Sequence, residues 1–155
     1  TPDREKAADF SDPYYTDLPP MILVKAANTA NYTGLDSFKD KSVGAQTGTT
    51  KADIVNEKLT GAKLVALTTV TDLVNELVYD KCDAIVLDGA VAMQYATSNK
   101  DLVVSDVALG EAAPFRDPSK LLEGFNNTIK TVTSDGTVEK WTEEANTLSE
   151  KAVEN

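Results

Sequence analysis

The sequence predicts an α/β fold in which short apolar strands alternate with amphipathic helices. Across residues 21–107, strand-like apolar runs recur between helical patterns. This alternation is typical of βαβ units and a mostly parallel sheet. The length agrees, since 155 residues with 41% hydrophobic side chains can bury one sizeable core or two small ones.

Five strands and the helices between them are predicted in order along this region. The strands lie at Met21–Val24, Ser42–Gln46, Lys63–Leu67, Ala84–Leu87 and Leu102–Val104. Helical patterns join them at Gly34–Asp40, Thr50–Leu59, Val70–Val78 and from Ala90 to Ala96. The pattern over Val70–Val78 is the clearest, because its apolar residues recur at i, i+3, i+4, i+7 and i+8. Together these elements predict a complete small α/β domain.

The flanking segments follow other patterns. Residues 1–20 are rich in Asp, Pro and Tyr and show almost no periodicity. Two helices are predicted within residues 119–148, separated by a stop at Ser134–Gly136. Each carries an apolar stripe but has no strand beside it. We therefore expect them to cover either the small domain or a second sheet that this chain does not supply.

Composition excludes several classes of function. Acidic residues outnumber basic ones by 25 to 15 and are spread along the chain, which disfavours nucleic acid and anionic membranes as partners. With no histidine and one cysteine, the chain has no His-based triad, His-ligated zinc site or internal disulfide. No cofactor or metal is expected. Cys82, between an apolar helix and an apolar strand, is predicted to be a small buried residue rather than a reactive thiol.

Open parallel sheets bind ligands beyond the carboxyl ends of their strands, and the loop Gln46–Lys51 follows such an end. It offers Gly48 for close backbone approach, the hydroxyls of Thr49 and Thr50, and free N–H groups at a helix start, all suited to an anion. Taken alone, these residues favour a plain turn and N-cap over a ligand site.

Two charged residues complete the candidate set. Asp88 leaves the fourth strand and could either pair with a ligand ammonium or cap the next helix. Arg4 could hold a carboxylate bidentately, or be a solvated surface residue. Two anion-suited groups with one cation-suited group match the zwitterionic end of an amino acid, and no obvious reactive constellation accompanies them.

Four motifs, in the same order, resemble the periplasmic amino-acid-binding proteins of ABC importers, the extracellular solute-binding family 3. They are Thr1–Arg4 followed by Asp9–Tyr15; Val43–Thr50; the pattern Leu77, Lys81, Asp83, Ala84 and Asp88; and Asn126 through Asp135–Gly136 to Trp141. Two departures from the family pattern stand out. Asp80 replaces a usual glycine, and Glu111–Arg116 replaces the usual crossover between lobes.

The resemblance implies a type II periplasmic-binding-protein fold, with two lobes of doubly wound sheet. Residues 1–20 would form part of lobe one and the first hinge crossover, residues 21–107 a complete lobe two, and residues 108–155 the second crossover and C-terminal helices of lobe one. Roughly sixty to ninety further residues are expected before Thr1 to complete lobe one. This chain alone is therefore expected to bind weakly, unless a second chain or a swapped segment completes that lobe.

The resemblance also implies a non-catalytic receptor that captures a free polar amino acid between closing lobes and presents it to a membrane permease. Arg4, Thr49, Thr50 and the backbone after Gly48 would hold the α-carboxylate. Asp88 would hold the α-ammonium, and Gln46 and Lys51 would line the pocket. The implied location is extracytoplasmic, in the periplasm or on a Gram-positive surface as a lipoprotein.

Three alternatives remain open at this stage. The same fold carries dehydratases that act on prephenate or arogenate, and similar lobes form the ligand-binding modules of sensory receptors. A purely structural or interaction domain fits the composition but leaves the ordered motifs unexplained.

Overall fold

The computed structural model describes residue 10 and residues 12–110, 114–115 and 122–153. The chain divides into two units, one made of Thr1–Asp17 with Ala113–Asn155 and the other of Leu18–Ala112. Within the described ranges, no helix is both long enough and apolar enough to cross a membrane.

The elements are numbered in chain order. The strands are β1 Tyr15–Thr16, β2 Met21–Lys25, β3 Ser42–Gln46, β4 Lys63–Leu67, β5 Ala84–Leu87, β6 Leu102–Val104 and β7 Pro114–Phe115. The α-helices are α1 Thr50–Lys58, α2 Val70–Val78, α3 Gly89–Ser98, α4 Leu122–Ser134 and α5 Thr137–Val153. Two 3-10 helices, Ala26–Asn31 and Leu35–Phe38, connect β2 to β3. The second replaces the longer helix predicted at Gly34–Asp40, because Asp40 adopts a φ of 64° that helical backbone does not allow.

The unit Leu18–Ala112 is built on a five-stranded sheet of order β4-β3-β5-β2-β6. This confirms the predicted α/β class and its five strands. β3 runs parallel to β4 and β5, whereas β2 runs antiparallel to β5 and β6. The prediction of a mostly parallel sheet therefore needs one correction, at β2. Leu18 and Pro19 pack against Gly89, just beyond the carboxyl end of β5, so the chain enters the sheet at that edge and must run the other way.

Helices cover both faces of this sheet. α1 packs on one face through Val55 and Leu59, and α2 and α3 pack on the other through Leu73, Leu77 and Ala92. The side chains of β5 are buried on both faces of the sheet. Ala84 and Val86 pack in the core on the α1 side, and Ile85 and Leu87 pack in the core on the side of α2 and α3. A strand covered on both faces reads as a continuous apolar run, which is the pattern that predicted it.

α2 ends in a Schellman motif, with the left-handed residue at Asp80. The N–H of Lys81 donates to the carbonyl of Glu76 at 2.8 Å, and the N–H of Asp80 donates to the carbonyl of Leu77 at 3.3 Å. Asp80 has a φ of 58°, a conformation that glycine adopts most easily. Its carboxylate lies 2.6 Å from Lys25 Nζ. Asp80 therefore forms this turn without a glycine and adds an ion pair.

The unit Thr1–Asp17 with Ala113–Asn155 contains a short ladder and two helices. β1 pairs antiparallel with β7. α4 and α5 are separated at Asp135–Gly136, where Gly136 has a φ of 78°, as the sequence predicted. Phe125, Trp141 and Leu148 are 44%, 58% and 68% exposed. These members of the predicted apolar stripes are thus largely uncovered within the described part of the chain.

Candidate functional site

The carboxyl ends of β3 and β5 lie side by side, and the helices that follow them lie on opposite faces of the sheet. β3 and β5 are parallel, with Val43 opposite Ala84 and Gly44 opposite Ile85. α1 follows β3 and packs on one face, whereas α3 follows β5 and packs on the other. Such a topological switch point leaves a crevice where open α/β sheets bind ligands.

Two hydrogen bonds join the loop after β3 to the carboxyl end of β4. Gln46 Nε2 donates to the carbonyl of Thr68 at 2.9 Å, and the N–H of Thr47 donates to the carbonyl of Leu67 at 2.8 Å. Gly48 has a φ of 72°, and no other atom lies within 4 Å of the place where a Cβ would be. The backbone here is therefore held in a conformation that favours glycine and is open on the side that a side chain would occupy.

The backbone donors at the start of α1 have no acceptor among the described residues. Thr49 is the N-cap residue, but its hydroxyl donates to the carbonyl of Gln46 at 2.8 Å and makes no capping bond. Among the described residues, no group accepts a hydrogen bond from the backbone N–H of Gly48, Thr49, Thr50 or Lys51. A helix start with free N–H groups and a positive dipole end suits an anion. The alternative in which Thr49 is only a helix cap therefore lacks the hydrogen bond from the side chain that such a cap would make.

Asp88 lies between β5 and α3 as the N-cap residue of α3, and its side chain makes no capping bond either. Instead, its Oδ1 lies 2.5 Å from Lys51 Nζ, with the Asp88 side chain 53% exposed and that of Lys51 18% exposed. The next residue, Gly89, is buried against Leu18 and Pro19. Asp88 is therefore held at the exit of a buried strand by close backbone packing.

The structure thus places six of the seven predicted site residues at the carboxyl ends of β3 and β5. They are Gln46, Gly48, Thr49, Thr50 and Lys51 on one side of the switch point and Asp88 on the other. The seventh, Arg4, lies outside the described residues, as do residues 111–113 and 116 of the second crossover. The roles of all seven residues in binding remain predictions.

Two contacts near the carboxyl ends of these strands could not be predicted from local sequence patterns. The carbonyl of Thr68, from the end of β4, is a partner of Gln46, and Lys51 pairs with Asp88. Opposite charges just beyond two strand ends were visible in the sequence. Only the order of the strands shows that these two ends are neighbours.

Cys82 is confirmed as a buried residue, with 5% of its surface exposed. Burial raises the pKa of its thiol to about 11, and the nearby carboxylates of Glu76 and Asp83 add to the shift. A thiolate is the reactive form of cysteine. At neutral pH this thiol is therefore protonated and unreactive.

Comparison with known proteins places this geometry in context. Residues 1–145 match the model of the bacterial extracellular solute-binding proteins, family 3. The chain is 35% identical over 148 residues to the arginine-binding extracellular protein ArtP of Bacillus subtilis, covering 90% of this chain and 57% of that protein.

Solved structures show the same fold. An amino acid ABC transporter substrate-binding protein, AbpA of Streptococcus pneumoniae, bound to L-arginine, aligns with a TM-score of 0.85 and 28% identity, covering 96% of this chain and 65% of that one. The ancestral amino-acid-binding protein AncCDT-1, a precursor of cyclohexadienyl dehydratase, aligns with a TM-score of 0.79 and 35% identity, covering 93% of this chain and 63% of that one. The chain therefore spans 57% to 65% of the length of these relatives.

Proposed function

This chain belongs to the bacterial extracellular solute-binding proteins, family 3, with the type II periplasmic-binding-protein fold, and we propose that it is part of a receptor for a polar amino acid. The receptor would capture its ligand outside the cytoplasm and deliver it to the membrane permease of an ABC importer. One observation carries the proposal. The N–H groups at the start of α1, from which no described residue accepts a hydrogen bond, and the carboxylate of Asp88 lie at the same switch point of the sheet.

An amino acid carries its carboxylate and its ammonium on one carbon, so its site must offer donors and an acceptor within a few ångströms. The first turn of α1 supplies backbone N–H groups and the Thr50 hydroxyl for the carboxylate. Asp88 supplies an ionised acceptor for the ammonium. By resemblance, Arg4 would add a cation for the carboxylate.

L-arginine is the first ligand to test. ArtP of Bacillus subtilis is named an arginine-binding protein, and the Streptococcus pneumoniae structure contains L-arginine. Gln46 and Lys51 are the lining residues that the sequence predicts on this side of the site. A polar side chain on the ligand fits both.

Calorimetry of L-arginine binding to the complete gene product that contains residues 1–155 tests the proposal. Asp88→Ala removes the acceptor for the ammonium, and hydrogen bonds to charged groups contribute about 1.5–3 kcal/mol each. We therefore expect affinity to fall about 10- to 150-fold. Asp101→Ala is the matched control. Asp101 lies in the turn before β6, at the amino end of that strand, whereas Asp88 follows the carboxyl end of β5.

Unchanged affinity in Asp88→Ala would remove Asp88 from the site. If the unmodified protein bound L-arginine and none of the other common amino acids, the preference would be settled. If it bound no amino acid at all, the proposed function would be wrong.

A dehydratase is the second candidate, because AncCDT-1 is described as a precursor of cyclohexadienyl dehydratase. We propose that this chain is not an enzyme. In the described part of the site, the ionisable side chains are Lys51 and Asp88, and they pair with each other. Incubation with prephenate or arogenate should leave both substrates intact, whereas steady turnover would establish the enzyme instead.

A further inference from the structure

The ion pair between Lys51 and Asp88 lies across the proposed ligand site. Lys51 belongs to the first turn of α1, and Asp88 precedes α3 on the other side of the switch point. Their charged atoms are 2.5 Å apart, and the lysine side chain is only 18% exposed although it carries a charge. The lysine ammonium thus contacts one oxygen, Oδ1, of the carboxylate that the ligand ammonium would need.

We propose that Lys51 is an internal counter-ion that holds the ammonium site of Asp88 in the ligand-free protein, and that an incoming amino acid displaces it. The inference rests on the function proposed above. A lysine side chain and an α-ammonium are both compact cations with three N–H donors. They therefore compete for the same carboxylate oxygens.

Opening the ion pair costs the same free energy for every solute that carries an ammonium. A solute with an ammonium alone replaces one cation with another and gains no net charge contact at Asp88. A solute that also carries a carboxylate adds bonds to the free N–H groups at the start of α1. Only the second kind of solute gains enough to open the ion pair.

Calorimetry on the complete gene product with L-arginine and with agmatine, its decarboxylated analogue, tests this inference. Lys51→Met keeps most of the length of the side chain, which becomes one atom shorter, and removes its charge. Partly exposed ion pairs contribute up to about 1 kcal/mol, so the variant should bind L-arginine about 2- to 5-fold more tightly. Agmatine should gain affinity by a similar factor.

Lys41→Met is the matched control. Lys41 also pairs with an aspartate, Asp83, at 3.5 Å. It directly precedes β3, at the amino end of the strand and away from the switch point. Its replacement should leave the affinity for L-arginine unchanged.

Lysine acetylation, followed by mass spectrometry, reports the ion pair without any ligand. Lys51 should react several-fold more slowly than the more exposed Lys41, and Asp88→Asn should speed its reaction.

Equal or weaker L-arginine binding by Lys51→Met, with binding by the unmodified protein intact, would overturn the counter-ion role and leave the proposed function standing. An acetylation rate at Lys51 that is the same in Asp88→Asn as in the unmodified protein would also overturn the counter-ion role. If neither protein bound any amino acid, the proposed function would fail and the displacement step with it.

Discussion

Replacing Gly89 with alanine should destabilise the unit Leu18–Ala112, although alanine is the better helix former. Gly89 begins α3, where helix propensity alone predicts a gain of up to about 1 kcal/mol. An added Cβ would lie 2.4 Å from the carbonyl oxygen of Pro19 and 2.6 Å from Leu18 Cβ, whereas ordinary contacts are 3.4–4 Å. The carbonyl is backbone and cannot rotate aside. Overpacking costs about 1–3 kcal/mol, and a contact this short with backbone belongs to the upper part of that range, about 2–3 kcal/mol. After subtraction of the propensity gain of about 1 kcal/mol, we expect a net loss of about 1–2 kcal/mol.

Urea unfolding followed by far-UV circular dichroism measures this loss. With a slope of about 1–2 kcal/mol per molar urea, the midpoint should fall by about 0.5–2 M. Gly124→Ala is the control, since Gly124 is also helical but has no other atom within 4 Å of its added Cβ. That variant should be more stable by about 0.5–1 kcal/mol. A Gly89→Ala midpoint equal to or above that of the unmodified protein would refute the packing argument.

Three further predictions concern single residues. Asp80→Gly should unfold with a free energy about 1 kcal/mol higher than Asp80→Ala, because both lose the ion pair with Lys25 and only glycine accepts the φ of 58° without strain; equal urea midpoints would contradict this. Thr69→Ala should cost about 1 kcal/mol in the same assay, because the Thr69 hydroxyl accepts the N–H of Asp72 at 3.1 Å as the N-cap of α2; a loss near zero would contradict it. Burial raises the pKa of the Cys82 thiol from 9.0 to about 11, so its stabilising contribution is complete below pH 9 and is lost as pH rises toward 11. The difference in free energy of unfolding between the unmodified protein and Cys82→Ala should therefore shrink between pH 9 and pH 11. A difference that does not change with pH would refute the raised pKa of Cys82.

Much of the unit Leu18–Ala112 could be predicted from local patterns. The helix at Val70–Val78 and the strand at Ala84–Leu87 have the predicted bounds. Each is long enough, or apolar enough, for its periodicity to fix which side chains are buried. The helix predicted at Gly34–Asp40 is a shorter 3-10 helix, Leu35–Phe38, in the structure, because a pattern of a few residues does not distinguish an α-helix from a 3-10 helix.

The direction of β2 could not be predicted in this way. An alternating or continuous apolar run is the same whether a strand runs up or down the sheet. The direction follows from where the chain enters, and that is decided by the packing of Leu18 and Pro19 against Gly89. The direction of β2 therefore depends on a contact between Pro19 and Gly89, which are 70 positions apart in the sequence.

The candidate site shows the same division. The sequence by itself determined which groups stand at strand ends: a glycine and threonines after β3 and an aspartate after β5, because strand ends and helix starts leave local signals. Only the tertiary structure decided that β3 and β5 are neighbours, that neither Thr49 nor Asp88 uses its side chain as a cap, and that Lys51 pairs with Asp88. Pairing between distant residues depends on strand order, and strand order is fixed by burial of both faces of the whole sheet rather than by any short segment.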